Sequence, residues 1–142
     1  GKNFGADFII NSEKDDPKIV SKKVKEIFTN GADIAFEAIG KKETIELAFS
    51  CLKPGGILVL VGFCSDQVPF KVANIMFHEM QVIGSLGCPP EDYSRVLHMA
   101  ISGQVKVNDL ITDRLSLKNI NSAMENFRTE RGLRSIILPW KE

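Results

Sequence analysis

The stretch Lys53-Pro54-Gly55-Gly56-Ile57-Leu58-Val59-Leu60-Val61-Gly62 decides the fold. Pro54-Gly55 interrupts regular structure, because proline has no N–H to donate and glycine accepts turn geometry. The apolar run that follows does not alternate with polar residues, the pattern of a strand covered on both faces in a parallel sheet. Just upstream, Ile45, Ala48, Phe49 and Leu52 fall at i, i+3, i+4 and i+7. That spacing predicts an amphipathic helix packed on the sheet and broken by Pro54-Gly55. Before it, Ile34-Ala35-Phe36-Glu37-Ala38-Ile39 reads as a strand stopped by Gly40.

Further out the alternation continues. Asp16-Pro17 marks a helix start, with Asp16 as N-cap and Pro17 at the first helical position. Val20, Val24, Ile27 and Phe28 form its apolar stripe, Lys22, Lys23 and Lys25 its solvated side, and Asn30-Gly31 its end. Phe8-Ile9-Ile10 reads as a strand ahead of that helix. Downstream, a short helix near residues 71–77 leads to a strand at Val82-Ile83-Gly84-Ser85. Repeated crossovers of this kind predict an α/β fold with a doubly wound parallel sheet. The remainder adds helices. Pro90 with Glu91 and Asp92 opens one, striped by Tyr93, Val96, Leu97, Ala100 and Ile101 and closed by Gly103. Ser116 caps another, carrying Leu117, Ile120, Met124 and Phe127, and Arg134-Ser135-Ile136-Ile137-Leu138-Pro139 reads as a last strand.

The 142 residues are about one domain's worth. Eighteen basic and eighteen acidic side chains leave no net charge. That balance argues against a nucleic-acid binder, which needs an excess of cations. The longest apolar run, residues 57–61, is far short of a bilayer span, so no membrane partner is expected. Cys51, Cys64 and Cys88 are an odd, widely spaced set with no CxxC pair, which suits a reducing, cytoplasmic setting.

Doubly wound sheets bind ligands beyond the carboxyl ends of their strands. Those ends are Ile39-Gly40, Val61-Gly62-Phe63 and Ser85-Leu86-Gly87, each with a glycine that serves a turn or a close backbone approach. No self-contained catalytic or metal-binding constellation accompanies them. His78 and His98 stand alone, Cys51 sits on the apolar side of a helix, and Cys64 and Cys88 follow strand ends as wall residues of the same cleft. Glu37 lies inside an apolar strand, where a carboxylate has to be hydrogen-bonded by the fold or by a ligand.

The succession Phe4-Gly5-Ala6-Asp7, Gly31-Ala32-Asp33-Ile34-Ala35-Phe36-Glu37-Ala38-Ile39-Gly40, Leu52-Lys53-Pro54-Gly55-Gly56, Val61-Gly62 and Ile83-Gly84-Ser85 resembles the zinc-type medium-chain alcohol dehydrogenases. Leu110-Ile111-Thr112 and Gly132-Leu133-Arg134-Ser135-Ile136-Ile137 extend the resemblance over essentially the whole chain. It implies an NAD- or NADP-dependent oxidoreductase that moves a hydride between nicotinamide and an alcohol, aldehyde or ketone. Ile39 and Gly40 would wall the adenosine side of the cofactor. Val61, Gly62 and Phe63 would present backbone to the nicotinamide carboxamide, as would Ser85, Leu86 and Gly87. Arg134 would clamp the pyrophosphate, a task suited to a guanidinium.

The family's Gly-rich phosphate loop, its cofactor-selecting acid and its zinc ligands precede the matching segment. The expectation is therefore a partial Rossmann-type sheet without its first two strands, no catalytic or metal-ligating residue here, and no turnover by this chain alone. Residues 1–142 would be a truncated dinucleotide-binding domain, with 110–115 and 136–140 facing a separate catalytic domain. Without the two strands, Phe8-Ile9-Ile10 is expected either to move beside Ile34-Ala35-Phe36-Glu37-Ala38-Ile39 or to leave a gap that a neighbouring molecule fills. The resemblance also implies a homo-oligomer paired through Val82-Ile83-Gly84-Ser85. Two rivals remain: an S-adenosylmethionine-dependent methyltransferase, which shares the Lys53-Pro54-Gly55-Gly56 pattern but ends in an antiparallel hairpin, and a non-catalytic interaction module that keeps the dinucleotide fold.

Overall fold

A computed structural model describes residues 1–12, 15–129 and 131–140. The chain forms two compact units, Gly1–Gly87 and Cys88–Glu142.

The first unit opens with a 3-10 turn at Lys2–Phe4 and continues through α1 (Pro17–Ile27), β1 (Ala32–Glu37), α2 (Lys42–Ser50), β2 (Leu52–Leu60), α3 (Val72–Phe77) and β3 (Gln81–Gly84). Asp16 caps α1 as expected, its Oδ1 accepting from the N–H of Lys18 at 2.7 Å, with Pro17 behind it. The chain leaves α1 through Asn30 and Gly31, both at positive φ. Gly31 is required there, since a Cβ would stand 2.7 Å from the carbonyl oxygen of Cys51.

All three strands are parallel, in the order β1-β2-β3. Ala32 pairs with Leu52, but the next pairing on β1 is Ile34 with Ile57, so β2 loops out around Pro54 before the ladder becomes regular. Pro54 has no N–H to give the ladder, and the N–H of Gly55 turns away to the carbonyl of His78 at 2.7 Å. This corrects the helix boundary: α2 stops at Ser50, and Leu52 is the first residue of β2 rather than the last contact of the helix. The competing interaction is the N–H of Ala32, which donates to the Cys51 carbonyl at 2.9 Å and draws the chain into the sheet.

Ile45, Leu52 and Leu58 form the core, with Ala35, Ala48 and Phe49 packed against them. Leu58 is wholly inaccessible. The other face of β1 is bare: Phe36 is 69% exposed and Ile34 about half exposed. The expectation of a sheet covered on both faces is therefore met on one side only. Phe8-Ile9-Ile10 joins no strand, and its one ring contact is Phe8 edge-on to Phe28, centroids 6.3 Å apart. It does not move beside β1, because an extended segment becomes a strand only where a neighbour accepts its backbone groups.

In the second unit a 3-10 turn at Pro90–Asp92 leads into α4 (Tyr93–Ile101), followed by β4 (Ile111–Ser116), α5 (Ile120–Arg128) and β5 (Arg134–Leu138). β4 and β5 are parallel: Ile111 pairs with Arg134, the register shifts at Thr112, and the ladder then runs from Asp113 with Ser135 to Ser116 with Leu138. Ser116 does precede the helical turn, but its Oγ accepts from the Asn119 side-chain amide at 3.2 Å rather than from a backbone N–H. The stripe Leu117, Ile120, Met124 and Phe127 is exposed, as are Tyr93, Val96, Leu97 and Ile101 on α4. No helix among the described residues is long and apolar enough to cross a membrane.

Candidate functional site

Register fixes where the strand ends fall. Glu37 of β1 lies opposite Leu60 of β2, which lies opposite Gly84 of β3. Ile39-Gly40, Val61-Gly62-Phe63 and Ser85-Leu86-Gly87 therefore follow three adjacent strands that end level, at roughly 5 Å from strand to strand. The first unit brings these eight residues to one rim. The rim is open: Phe63 is 89% and Leu86 99% exposed. Arg134, the ninth expected contact, begins β5 in the second unit, where its backbone is tied to Thr112 by the Thr112 hydroxyl.

Glu37 organises the first two ends. It is the last residue of β1, 3% exposed, and its carboxylate turns back under the following loop. Oε1 accepts from the N–H of Ile39 and of Gly40, both at 2.9 Å, and from the Thr44 hydroxyl at 2.8 Å. Oε2 accepts from the Gly40 N–H at 3.1 Å. The Glu37 carbonyl oxygen takes the N–H groups of Val61 and Gly62 at 2.8 and 3.0 Å. Burial acts to raise the pKa of this carboxyl, but the hydrogen bonds from Gly40, Thr44 and Ile39 together outweigh it and hold the group below its ordinary value. Glu37 is thus a carboxylate satisfied by its own chain. Thr44, in the first turn of α2, is the member that sequence reading missed; the signal was an acid inside an apolar strand, which demands nearby donors.

Two glycines make this junction tight. A Cβ on Gly62 would lie 2.2 Å from the Gly40 nitrogen and 2.7 Å from Glu37 Oε2. A Cβ on Gly40, whose φ is +82°, would lie 2.1 Å from the Phe63 carbonyl oxygen. Hydrogen is all that fits between the two loops. At the third end the N–H of Ser85 donates to the Leu60 carbonyl at 2.9 Å, which extends the ladder by one bond. Among the described residues, the carbonyls of Val61 and Ser85 and the N–H groups of Phe63 and Gly87 make no hydrogen bond within the chain. The rim therefore offers acceptors and donors from neighbouring strands, fixed by backbone rather than by rotamers.

The three cysteines lie in different surroundings. Cys51 is buried, and burial pushes its thiol pKa up. Cys64 packs against the apolar core of the first unit, and Cys88 is exposed in the second. A hollow of about 620 Å³ opens at the opposite end of the strands, near Lys25, Asn30, Lys53 and His78. The C-terminal residues of α1 and α2 border it, and its Lys53 is paired with Asp33 of β1. Among the described residues no group of three or more His, Cys, Asp or Glu could hold a metal ion, so the donor set does not fit zinc.

Residues 1–102 match the zinc-binding dehydrogenase family. The chain is 26% identical over 139 residues to the NAD-dependent alcohol dehydrogenase of Saccharolobus solfataricus, covering 97% of this chain and 39% of that protein. It is 28% identical over 107 residues to D-xylulose reductase A of Aspergillus oryzae, covering 75% of this chain and 30% of that one. The chain thus spans between three tenths and about two fifths of the length of these relatives. The crystal structure of benzyl alcohol dehydrogenase from Acinetobacter calcoaceticus superposes with a TM-score of 0.85 at 24% identity, over 96% of this chain and 38% of that one, and shares its fold. The match covers the level-ended sheet and the rim it carries, and the chain belongs to the zinc-binding dehydrogenase family.

Proposed function

We propose that the chain is the nucleotide-binding part of a longer NAD- or NADP-dependent, zinc-containing alcohol dehydrogenase-like oxidoreductase. The observation that carries this is the set of unused backbone groups after β2 and β3, two of three strands that end level, in a member of that family. A carboxamide has one N–H2 to donate and one oxygen to accept. The Val61 and Ser85 carbonyls suit the first and the Gly87 N–H the second; Gly62, Phe63 and Leu86 keep these groups in line. Ile39 and Gly40 would border the adenosine side, and Arg134 would pair with the pyrophosphate. When bound, the nicotinamide exchanges a hydride with the carbon of a small alcohol, aldehyde or ketone.

Zinc and its ligands belong, in this reading, to a preceding catalytic part. Residues 110–115 and 136–140 are the surfaces that would face it. The chain alone then holds nucleotide without turning over alcohol. Homodimer pairing through Val82-Ile83-Gly84-Ser85 fits the outer edge of β3, which pairs with no described strand, and three free cysteines fit a cytoplasmic setting. The methyltransferase rival loses its support: β3 is followed by α4, and β4 and β5 run parallel rather than as an antiparallel hairpin.

Titration of NADH and NADPH into the folded 142-residue chain tests the reading through nicotinamide fluorescence. Saturable binding of at least one is expected, weak because part of the phosphate site is supplied elsewhere. No saturable response to either, or zinc-dependent alcohol oxidation by this chain alone, would overturn it.

A further inference from the structure

Among the described residues Glu37 is the one buried acid of the first unit, and its bonds all run to its own chain. Its carboxylate is occupied by Ile39, Gly40 and Thr44, and its carbonyl by Val61 and Gly62. The same residue therefore grips two loops at once: the turn after β1 with its side chain, and the start of the loop after β2 with its main chain. Every side-chain partner is a donor, so a carboxylate fits where an amide would turn an N–H2 toward the N–H of Gly40. The single Thr44 proton has two acceptors, the Lys41 carbonyl at 2.9 Å and Oε1 at 2.8 Å. The ionised oxygen is the stronger of the two. The glycines at 40 and 62 complete the grip, since either loop would be displaced by a methyl group between them.

We propose that Glu37 is the positioning residue of the nucleotide seat: through one carboxylate and one carbonyl it sets the Ile39-Gly40 turn against Val61-Gly62-Phe63, and so fixes the main-chain groups that meet a dinucleotide without touching it. The inference rests on the nucleotide-binding reading above. A residue with this role acts on affinity in protein that is fully folded, whereas a merely structural acid acts on the folded fraction alone.

The test compares NADH affinity, amide hydrogen exchange and the unfolding midpoint for the unaltered chain, Glu37→Gln and Thr44→Val. Glu37→Gln is expected to weaken NADH binding roughly tenfold, the scale of one charge-assisted hydrogen bond. Thr44→Val removes one donor to the same ionised carboxylate and should also weaken it by about tenfold. Exchange at the Gly40 amide should quicken in both, with the Leu58 amide still protected. Unchanged affinity in folded Glu37→Gln overturns the proposal, as does an affinity loss that only tracks loss of Leu58 protection. If Glu37→Gln does not fold, Thr44→Val decides alone, and an unchanged affinity there overturns it. Failure of the unaltered chain to bind NADH removes both this inference and the nucleotide reading, while equal binding by chain and variants removes only this one.

Discussion

Replacing Gly62 by alanine adds one methyl group where the structure has room for hydrogen. Its carbon would start 2.2 Å from the Gly40 nitrogen and 2.7 Å from both the Gly40 Cα and Glu37 Oε2. Two of these three are backbone atoms, so no side-chain rotation relieves the overlap. Relief requires the two loops to part, which costs about 1–3 kcal/mol as overpacking. Parting them also stretches the Gly40 N–H away from the ionised Glu37, a charge-assisted bond worth about 1.5–3 kcal/mol. Together the loss is about 2.5–6 kcal/mol. Gly84→Ala is the control, because a Cβ there meets nothing within 4 Å and the residue has no positive φ; its effect should stay within about 0.5 kcal/mol. Fluorescence is blind to this site, since Trp140 and Tyr93 both lie in the second unit. Amide exchange at Leu58, at the centre of β2, reports it instead. Protection in Gly62→Ala that stays within about 1 kcal/mol of the Gly84→Ala value would refute the account of a junction closed to anything larger than hydrogen.

The core and the buried acid give two more expectations. Leu58→Ala should cost about 2–5 kcal/mol in the same exchange measurement, because Leu58 is wholly enclosed and its cavity is lined by Ile45 and Leu52 from two directions; a cost under about 1 kcal/mol would show a core that collapses freely. The carboxyl of Glu37 is held below its ordinary value of 4.5. It therefore contributes stability that is fully present above that value and lost as the pH falls through it toward the lower folded one. The stability gap between the unaltered chain and Glu37→Gln should narrow on acidification below about pH 5, other carboxyls cancelling in the difference. A gap that stays constant from neutral to strongly acid pH would show that Glu37 is not ionised in the folded chain.

Much of this was legible in residue order because local chemistry and tertiary structure agree. Asp16-Pro17 starts α1 where a cap and a pre-set φ require it. The unbroken run after Gly56 became the central strand because Leu58 had Ile45 of α2 to pack against. The readings that failed depend on partners far along the chain. Leu52 continues a helical stripe by spacing, but the Ala32 N–H reaching Cys51 takes the chain into the ladder two residues earlier. Phe8-Ile9-Ile10 has strand composition, and composition supplies no neighbour to bond with. The strand ends were found because each carries a glycine; what held them together was not, because Thr44 looks like any polar residue in a helix's first turn until Glu37 is seen beside it.

The bulge around Pro54 has reach beyond its own turn. The loop-out sets which residue of β2 lies opposite which residue of β1, and from there the ladder runs without slack to Glu37 and Leu60. Removing one residue between Lys53 and Gly56 would slide β2 by one place and turn Leu58 out of its socket toward the bare side of the sheet, since successive side chains point to opposite faces. It would also draw Gly62 away from the Glu37 carbonyl, some seven residues and roughly 23 Å downstream. The length of a surface turn at one end of the sheet thus acts as a ruler for the rim at the other.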